Sequence, residues 1–252
     1  MSKNFELLYQ MGKTPEMLHA DAKPVLQTVA PVDLSQSTPA LEIDGVAREE
    51  VTKLVHRLFL SGVAEGPRHV VFSGTELANG CTWMCVRAAE ILASQVGNSV
   101  CIVDCNLSSP SLHQQFGVEN HYGLSDALVG EGPIRQYARQ LSRQNLWLVS
   151  CGAATGDSQQ LLASGRMRAR ISELRAEFDY VLLDVAPMNT SNHTMMFGSL
   201  LDGVVLVIKA NTTRRDSARE AVQQLRASNV RVLGVVMNQR TFPIPESIYK
   251  RL

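Results

Sequence analysis

The stretch SGTELANGCTW, residues 73–83, has most of the residue types of a phosphate-binding loop but lacks its lysine. Such a loop reads G-x-x-x-x-G-K-[ST], and the lysine neutralises the terminal phosphates of a nucleotide. Gly80 and Thr82 match the second glycine and the hydroxyl residue, whereas Cys81 replaces the lysine and Thr75 replaces the first glycine. A helix that begins near Gly80 would point its amides at an anion. The alternative is a turn that binds no phosphate.

Two aspartates follow apolar runs elsewhere in the chain. Asp104 ends the run CIVD, and Asp184 comes directly after YVLL. A carboxylate at the end of a buried strand is suited to hold Mg²⁺ or one of its waters. The alternative for each is an ordinary aspartate that caps a strand or a turn. Two such aspartates, together with the loop-like turn, favour a nucleotide site over two unrelated caps.

These residues need a scaffold, and the rest of the chain predicts an α/β sheet. The runs predicted as strands are HVVFSG (69–74), SVCIVD (99–104), LWLVS (146–150), YVLLDV (180–185), GVVLVIKA (203–210) and VLGVVM (232–237). The segments predicted as helices are GVAREEVTKLVHRLFLSG, TWMCVRAAEILASQ, SLHQQFG, GLSDALVG, RMRARISELRAEF and RRDSAREAVQQLRAS. Apolar strands that alternate with helices indicate a parallel sheet covered on both faces. Ligands bind beyond the carboxyl ends of such strands, where the loop and both aspartates lie.

The flanks of the chain differ from this central part. Residues 1–45 contain several prolines and few apolar repeats, which predicts an extended or partly disordered arm. We therefore expect three parts: the arm (1–45), a domain (46–240) and a short tail (241–252) that carries Tyr249. Three arginines in RQYARQLSRQ, at 135, 139 and 143, would form a basic stripe if that segment were helical.

Composition limits the function classes. Acidic and basic residues number 24 each in the 252-residue chain, which argues against a protein that coats nucleic acid. The chain lacks a stretch of about 20 apolar residues of the kind that spans a bilayer. Five cysteines, without a secretory signal, indicate a reducing cytoplasm. Their paired spacing leaves a metal or redox role open beside the plainer interpretation of buried thiols.

Several segments, in the right order, resemble the cytoplasmic domain of bacterial tyrosine kinases of the CpsD/CapB type, in the MinD/ParA branch of P-loop ATPases. The resemblance runs from about Glu49 to Gln239. VDCNLSSPSLHQQFGV is similar to the family's VDxDxRxPxxHxxFG stretch, and FDYVLLDVAPM to its FDYVxxDxPP run. GLSDALVG and GVVMNQR resemble its GLSxxLxG turn and GVVxN strand end. The resemblance implies a three-layer sandwich, with a mainly parallel central sheet flanked by helices.

The resemblance also assigns roles to individual positions. It places Gly80, Cys81, Thr82 and Asn238 at nucleotide-binding positions and Thr82, Asp104 and Asp184 at Mg²⁺-binding positions. Asn238 matches the asparagine that contacts adenine in relatives, and the two aspartates are also the catalytic positions. The implied cofactors are therefore ATP or ADP with Mg²⁺.

The departures from the family pattern are equally specific. Cys81 replaces the lysine, Asn106 the second aspartate of its motif, Ser108 the arginine and Ala186 a proline, and Glu76 stands where partitioning ATPases carry a further lysine. Phosphoryl transfer depends on positive charge placed around the developing anion. We therefore expect weak nucleotide binding, and weak or absent catalysis.

These features lead to three hypotheses about function. The first is a regulatory or accessory protein of exopolysaccharide or capsule biosynthesis, cytoplasmic and recruited to the inner membrane by a Wzz-like polysaccharide co-polymerase. The second is an active tyrosine autokinase or ATPase of the same system, and the third a MinD/ParA-like positioning ATPase. Nucleic-acid binding and direct membrane insertion are not expected. Whether the chain forms a homo-oligomer stays open. The family's oligomerisation helix carries an E-x-x-R-x-x-R pattern, and its two arginines are replaced here by Lys53 and His56 after Glu50. Lysine and histidine cannot make the bidentate contacts of arginine.

Overall fold

The structure is a computed structural model that describes residues 45–62, 66–153 and 158–240. The predicted arm up to residue 44 and the predicted tail from residue 241, with Tyr249, lie outside the described residues. The boundaries predicted for these two parts therefore stay predictions.

A seven-stranded sheet forms the centre of the described part, in the order β3-β4-β2-β5-β1-β6-β7. The strands are β1 (His69–Gly74), β2 (Val100–Asp104), β3 (Arg139–Gln140), β4 (Leu146–Val149), β5 (Tyr180–Val185), β6 (Gly203–Lys209) and β7 (Val232–Asn238). Only β3 runs antiparallel to its neighbour; the other pairs are parallel. The predicted mainly parallel sheet is confirmed.

Helices connect the strands and cover both faces of the sheet. They are α1 (Gly45–Phe59), α2 (Cys81–Gln95), α3 (Leu112–Gln115), α4 (Leu124–Val129), α5 (Ser158–Leu162), α6 (Gly165–Glu177), α7 (His193–Leu200) and α8 (Arg215–Ala227). A short 3₁₀ turn (Ile134–Tyr137) precedes β3. One core packs α1, α2 and α3 against the sheet, and a second core packs α4 to α8 against the opposite face. The central strands are apolar throughout because both of their faces are buried.

Three features of the fold differ from the sequence predictions. The helical arginine stripe is wrong: Arg135 lies in the 3₁₀ turn, Arg139 lies in β3, and Arg143 lies in the turn that follows. Arg135 instead pairs with Glu177 at 2.6 Å. Helices α5 and α7 were not predicted, because their sequences are short and lack a clear apolar repeat. Strand β3 was not predicted, because it has only two residues.

Candidate nucleotide-binding site

The loop between β1 and α2 has the backbone of an anion-binding nest. Two of its residues adopt left-handed conformations, Ala78 at φ 62° and Gly80 at φ 75°. Within the described residues, the backbone amides of residues 76–83 donate no hydrogen bond. The 15-residue helix α2 begins immediately afterwards, at Cys81, so the positive end of its dipole faces the same place. A cluster of unpaired amides at a helix N-terminus is suited to hold phosphate oxygens.

Neighbouring strands brace this loop. Asn238, the last residue of β7, donates from Nδ2 to the carbonyl of Asn79 at 3.0 Å. Asn79 is itself buried and donates to Thr75 Oγ1 at 2.9 Å and to the carbonyl of Val207 at 3.1 Å. The loop is thus tied to β6 and β7 by these hydrogen bonds. The adenine contact expected of Asn238 stays a prediction, since this side chain is engaged with the loop backbone.

Gly80→Ala is expected to destabilise the protein by about 1–3 kcal/mol, through a left-handed φ and an overlap of the new Cβ with Asn238 Nδ2. The matched control is Gly62→Ala, because Gly62 has φ 78° but nothing within 4 Å of an added Cβ. Urea unfolding of both variants measures the difference. Equal losses of stability would contradict the close approach of Asn238 to the loop.

The two candidate aspartates lie side by side. Asp104 ends β2 and pairs in register with Asp184 on the adjacent parallel strand β5, so both side chains project from the same face of the sheet. Both are buried, with exposed fractions of 0% and 1%. The sequence prediction that these residues meet beside the loop is confirmed in its geometry; their roles stay predictions.

Asp104 has its carboxylate fully engaged by the backbone. Its oxygens accept hydrogen bonds from the amides of Asn106 at 3.1 Å, Ser111 at 3.0 Å and Leu112 at 3.1 Å. Burial raises the pKa of Asp104 to about 6, although these three amides favour the charged form. The carboxylate is therefore held in one orientation by the start of α3.

The carboxylate of Asp184 has fewer hydrogen-bond partners than that of Asp104. Its Oδ2 is buried and has no hydrogen-bond partner among the described residues. Burial, followed by the negative charge of Asp104, raises the pKa of Asp184 to about 7, whereas hydrogen bonds from Thr82 and Cys81 lower it. A buried carboxylate oxygen without a partner is unfavourable unless a cation, a water or a proton accompanies it.

Cys81 contributes a neutral group to this site. Burial, followed by the charge of Asp184, raises the pKa of the Cys81 thiol well above its ordinary value, so the thiol stays protonated at neutral pH. The charge of Asp184 is thus close enough to act on this thiol, and a lysine at the same position would bring a positive charge to Asp184. None of the described lysines or arginines acts on the pKa of either aspartate. The site therefore concentrates two acidic groups without a cation to balance them.

The residues present fit a nucleotide and Mg²⁺. The amides of the loop would hold the phosphates, and Thr82, Asp104 and Asp184 would hold Mg²⁺ directly or through waters. The unpaired Oδ2 of Asp184 supports this assignment. Ser111 joins the group, since its hydroxyl donates to Thr82 Oγ1 at 3.3 Å.

Sequence reasoning missed two residues of the site. Asn79 braces the loop and Ser111 contacts Thr82, but neither belongs to the motif positions. The start of the predicted helix SLHQQFG was the only signal for Ser111. Asn79 had none, because its partner Val207 is distant in the sequence.

The five cysteines are all reduced thiols. In the part of the chain that the structure describes, no group of three or more His, Cys, Asp or Glu side chains is arranged to hold a metal ion. Four of the cysteines are buried, which agrees with their interpretation as small core residues.

A family comparison identifies the family to which this fold belongs. The model of the ParA family, described as NUBPL iron-transfer P-loop NTPase, matches residues 79–250. The chain belongs to the ParA family of P-loop NTPases. The match begins inside the loop, so the part in which the glycine spacing departs from the motif lies outside it.

Curated relatives confirm the resemblance to bacterial tyrosine kinases. The chain is 28% identical over 148 residues to the tyrosine-protein kinase YwqD of Bacillus subtilis, which covers 59% of this chain and 62% of YwqD. It is 29% identical over 173 residues to the putative tyrosine-protein kinase EpsB of Ralstonia nicotianae, covering 69% of this chain and 23% of EpsB. It is 29% identical over 154 residues to the succinoglycan biosynthesis transport protein ExoP of Rhizobium meliloti, covering 60% of this chain and 20% of ExoP. The chain thus spans less than two thirds of each of these relatives.

Solved structures agree on the fold. The kinase domain of the Escherichia coli tyrosine kinase ETK superposes with a TM-score of 0.70 at 20% identity, covering 79% of each chain. The septum site-determining protein MinD of Pyrococcus horikoshii, in complex with Mg-ADP, superposes with a TM-score of 0.58 at 19% identity, covering 73% of this chain and 76% of MinD. The predicted MinD/ParA-like P-loop NTPase sandwich is therefore confirmed. Among the described residues, none of the helices has the length and apolar character needed to cross a membrane.

Proposed function

We propose that this protein is a P-loop ATPase of the tyrosine-kinase type with weak or absent catalysis, which serves as a regulatory or accessory component of exopolysaccharide or capsule biosynthesis. The observation that carries the proposal is that Cys81, a neutral residue, stands in the position of the phosphate-loop lysine at the start of α2, near the paired Asp104 and Asp184. The fold and the aspartate pair of an ATPase are retained, but the cation that its chemistry needs is not.

The loss of the cation affects catalysis more than binding. In phosphoryl transfer the protein mainly positions the groups and stabilises the charge that develops on the transferred phosphoryl. Removing one preorganised donor from such a site typically lowers the rate by about 10²–10³-fold. Ser108 stands at the family's arginine position, so by resemblance a second cation is also replaced. The loop amides and Mg²⁺ would still give weak affinity for ATP or ADP, as supported by the Mg-ADP bound to the structurally similar MinD.

The assignment to polysaccharide biosynthesis rests on the relatives. ExoP is named for succinoglycan biosynthesis and transport, and YwqD and EpsB are tyrosine kinases or putative ones. We place the protein in the cytoplasm, beside an inner-membrane polysaccharide co-polymerase that recruits it. The equal numbers of acidic and basic residues give no support to a nucleic-acid partner.

Incubation of the purified chain with labelled ATP and Mg²⁺ tests the proposal. We expect no phosphotyrosine above the level of the Asp184→Asn variant, which lacks the carboxylate assigned to Mg²⁺. Rapid autophosphorylation on tyrosine that the Asp184→Asn variant loses would overturn the proposal.

A second candidate is an active autokinase or ATPase that takes its cation from a neighbouring subunit. The unpaired amides of the loop and the adjacent Asp104 and Asp184 favour it, because these parts of an ATPase site are present in the chain. An arginine or lysine supplied in trans is a known solution for this chemistry. In that case turnover per subunit rises with protein concentration. A turnover that stays constant on dilution rules it out.

A further inference from the structure

The part of the chain from β6 to β7 differs in charge from the rest of the sequence. Residues 203–240 contain seven basic and two acidic side chains, although the whole chain contains 24 of each. The excess of positive charge is therefore confined to one part of a protein whose net charge is zero. A local basic surface on a neutral protein acts on an anionic partner at close range, and it fixes the orientation in which the two meet.

Helix α8 arranges part of this charge in a row. Arg215, Arg219 and Arg226, the α8 arginine row, lie within about 40° of one another around the helix axis and span about 17 Å along it. All three are exposed. Ala221 and Leu225 are buried and lie about 100–140° away around the axis, where the helix packs on the sheet. The row therefore belongs to the outer surface of the molecule.

The row has little compensation within the protein. Among the described residues, Arg215 and Arg226 have no ion-pair partner, and Arg219 reaches Asp216 only at 3.9 Å, with both side chains more than half exposed. Arg215 is also the first residue of α8, and Arg214 precedes it at the N-cap. Cations at this end of a helix are unfavourable, because the helix dipole is positive there. An anionic partner against the row would offset this repulsion.

The acidic residues of α8 indicate the shape of that partner. Asp216 and Glu220 lie together on one flank of the helix, about 80–120° around the axis from the centre of the row. A helix inside a groove of duplex nucleic acid has phosphates on both flanks, and these two carboxylates would be repelled there. A planar anionic surface contacts one flank only, so the acidic flank can turn away from it. The charge pattern thus favours a plane over a groove.

We propose that the α8 arginine row binds the phosphates of an anionic phospholipid surface, with α8 lying along the membrane and not inserted into it. The apolar side of α8 packs in the core, so the contact is electrostatic. A protein interface usually has apolar anchors, and none of the exposed large apolar side chains in the described part of the chain lies on α8. Such a contact is weak alone, and it orients a protein that a second contact holds at the membrane.

Co-sedimentation of the full chain with lipid vesicles tests the proposal. We expect binding to phosphatidylcholine vesicles that contain phosphatidylglycerol and none to phosphatidylcholine alone. Binding should be lost when the salt is raised from about 0.1 M to about 1 M. The triple variant Arg215→Gln, Arg219→Gln, Arg226→Gln should partition at least about tenfold less, since each arginine near an anionic surface contributes about fivefold.

The matched control removes the same charge from exposed arginines elsewhere, in the triple variant Arg139→Gln, Arg143→Gln, Arg168→Gln. Thermal unfolding checks that both triple variants are folded. An unaltered chain that does not bind the anionic vesicles, or equal losses in the two triple variants, would overturn the proposal. Duplex DNA at the same phosphate concentration is the competing ligand. If it binds as tightly as the vesicles, and loses as much in the α8 variant, the assignment to a membrane is wrong.

Discussion

Asp184→Asn is expected to stabilise the nucleotide-free protein near pH 8, by up to about 4 kcal/mol. Asp184 is almost fully buried, and burial together with the charge of Asp104 raises its pKa to about 7 from an ordinary value of 3.8. One unit of pKa corresponds to about 1.4 kcal/mol of differential stability. An amide of nearly the same shape removes the buried charge and its repulsion with Asp104.

The buried Asp184 makes the stability of the unaltered protein depend on pH. A carboxyl with a raised pKa in the folded state keeps its proton there after the unfolded chain has lost it. The folded state therefore binds more protons between about pH 4 and pH 7, and stability falls as the pH rises through that window. The variant lacks this loss, so its advantage should be present at pH 8 and vanish below about pH 4.

Urea unfolding at several pH values measures the effect, and Asp104→Asn is the matched control. The pKa of Asp104 is also raised, to about 6. Its two carboxylate oxygens accept hydrogen bonds from three backbone N–H groups, and an asparagine side chain, which has only one oxygen, cannot accept all three. Asp104→Asn should therefore gain much less than Asp184→Asn. A loss of stability in Asp184→Asn at pH 8, or a gain that does not depend on pH, would show that Asp184 is not the unbalanced charge of the site.

Cys81→Lys is expected to strengthen the binding of Mg-ATP by about 10–100-fold. A hydrogen bond to a charged group contributes about 1.5–3 kcal/mol, and roughly 1.4 kcal/mol corresponds to a factor of ten in affinity. The new ammonium would lie at the start of α2, beside the unpaired amides of the loop and next to Asp184. The increase in melting temperature on addition of Mg-ATP measures the gain, because a ligand that binds only the folded state stabilises it.

Cys81→Met is the control for this experiment, since methionine has a similar length to lysine and no charge. We expect a large gain in affinity for Cys81→Lys and none for Cys81→Met. If lysine proves no better than methionine, charge is not what limits binding. The explanation would then be that Thr75 and Glu76 close the phosphate pocket.

Residue patterns predicted most of the fold because the central strands are buried on both faces. Runs such as VLL before Asp184 are apolar without alternation, and this is the pattern of a strand inside a parallel sheet. The meeting of Asp104 and Asp184 followed from their positions at strand ends, since parallel strands end at one edge of the sheet. The assignment of Cys81 to the lysine position depended on the family resemblance as well as on the motif.

The remaining features depend on contacts between distant parts of the chain. Asn79 bonds to Val207, and Asn238 bonds to the loop, but neither pairing leaves a periodic signal in the sequence. The position of β7 at the edge depends on the strand order, which a run of apolar residues does not encode. The unpaired Oδ2 of Asp184 likewise emerges only when the surrounding side chains are in place.

Calorimetric titration of Mg-ATP into the unaltered protein tests the central claim most directly. With a protonated thiol at position 81 and two buried carboxylates beside it, little opposes the negative charge of the phosphates. We predict a dissociation constant of about 1 mM or weaker, equivalent to no more than about 4 kcal/mol of binding free energy. Low-micromolar binding by the unaltered chain would contradict the claim, because it would require a cation at the phosphates that the described residues do not place there.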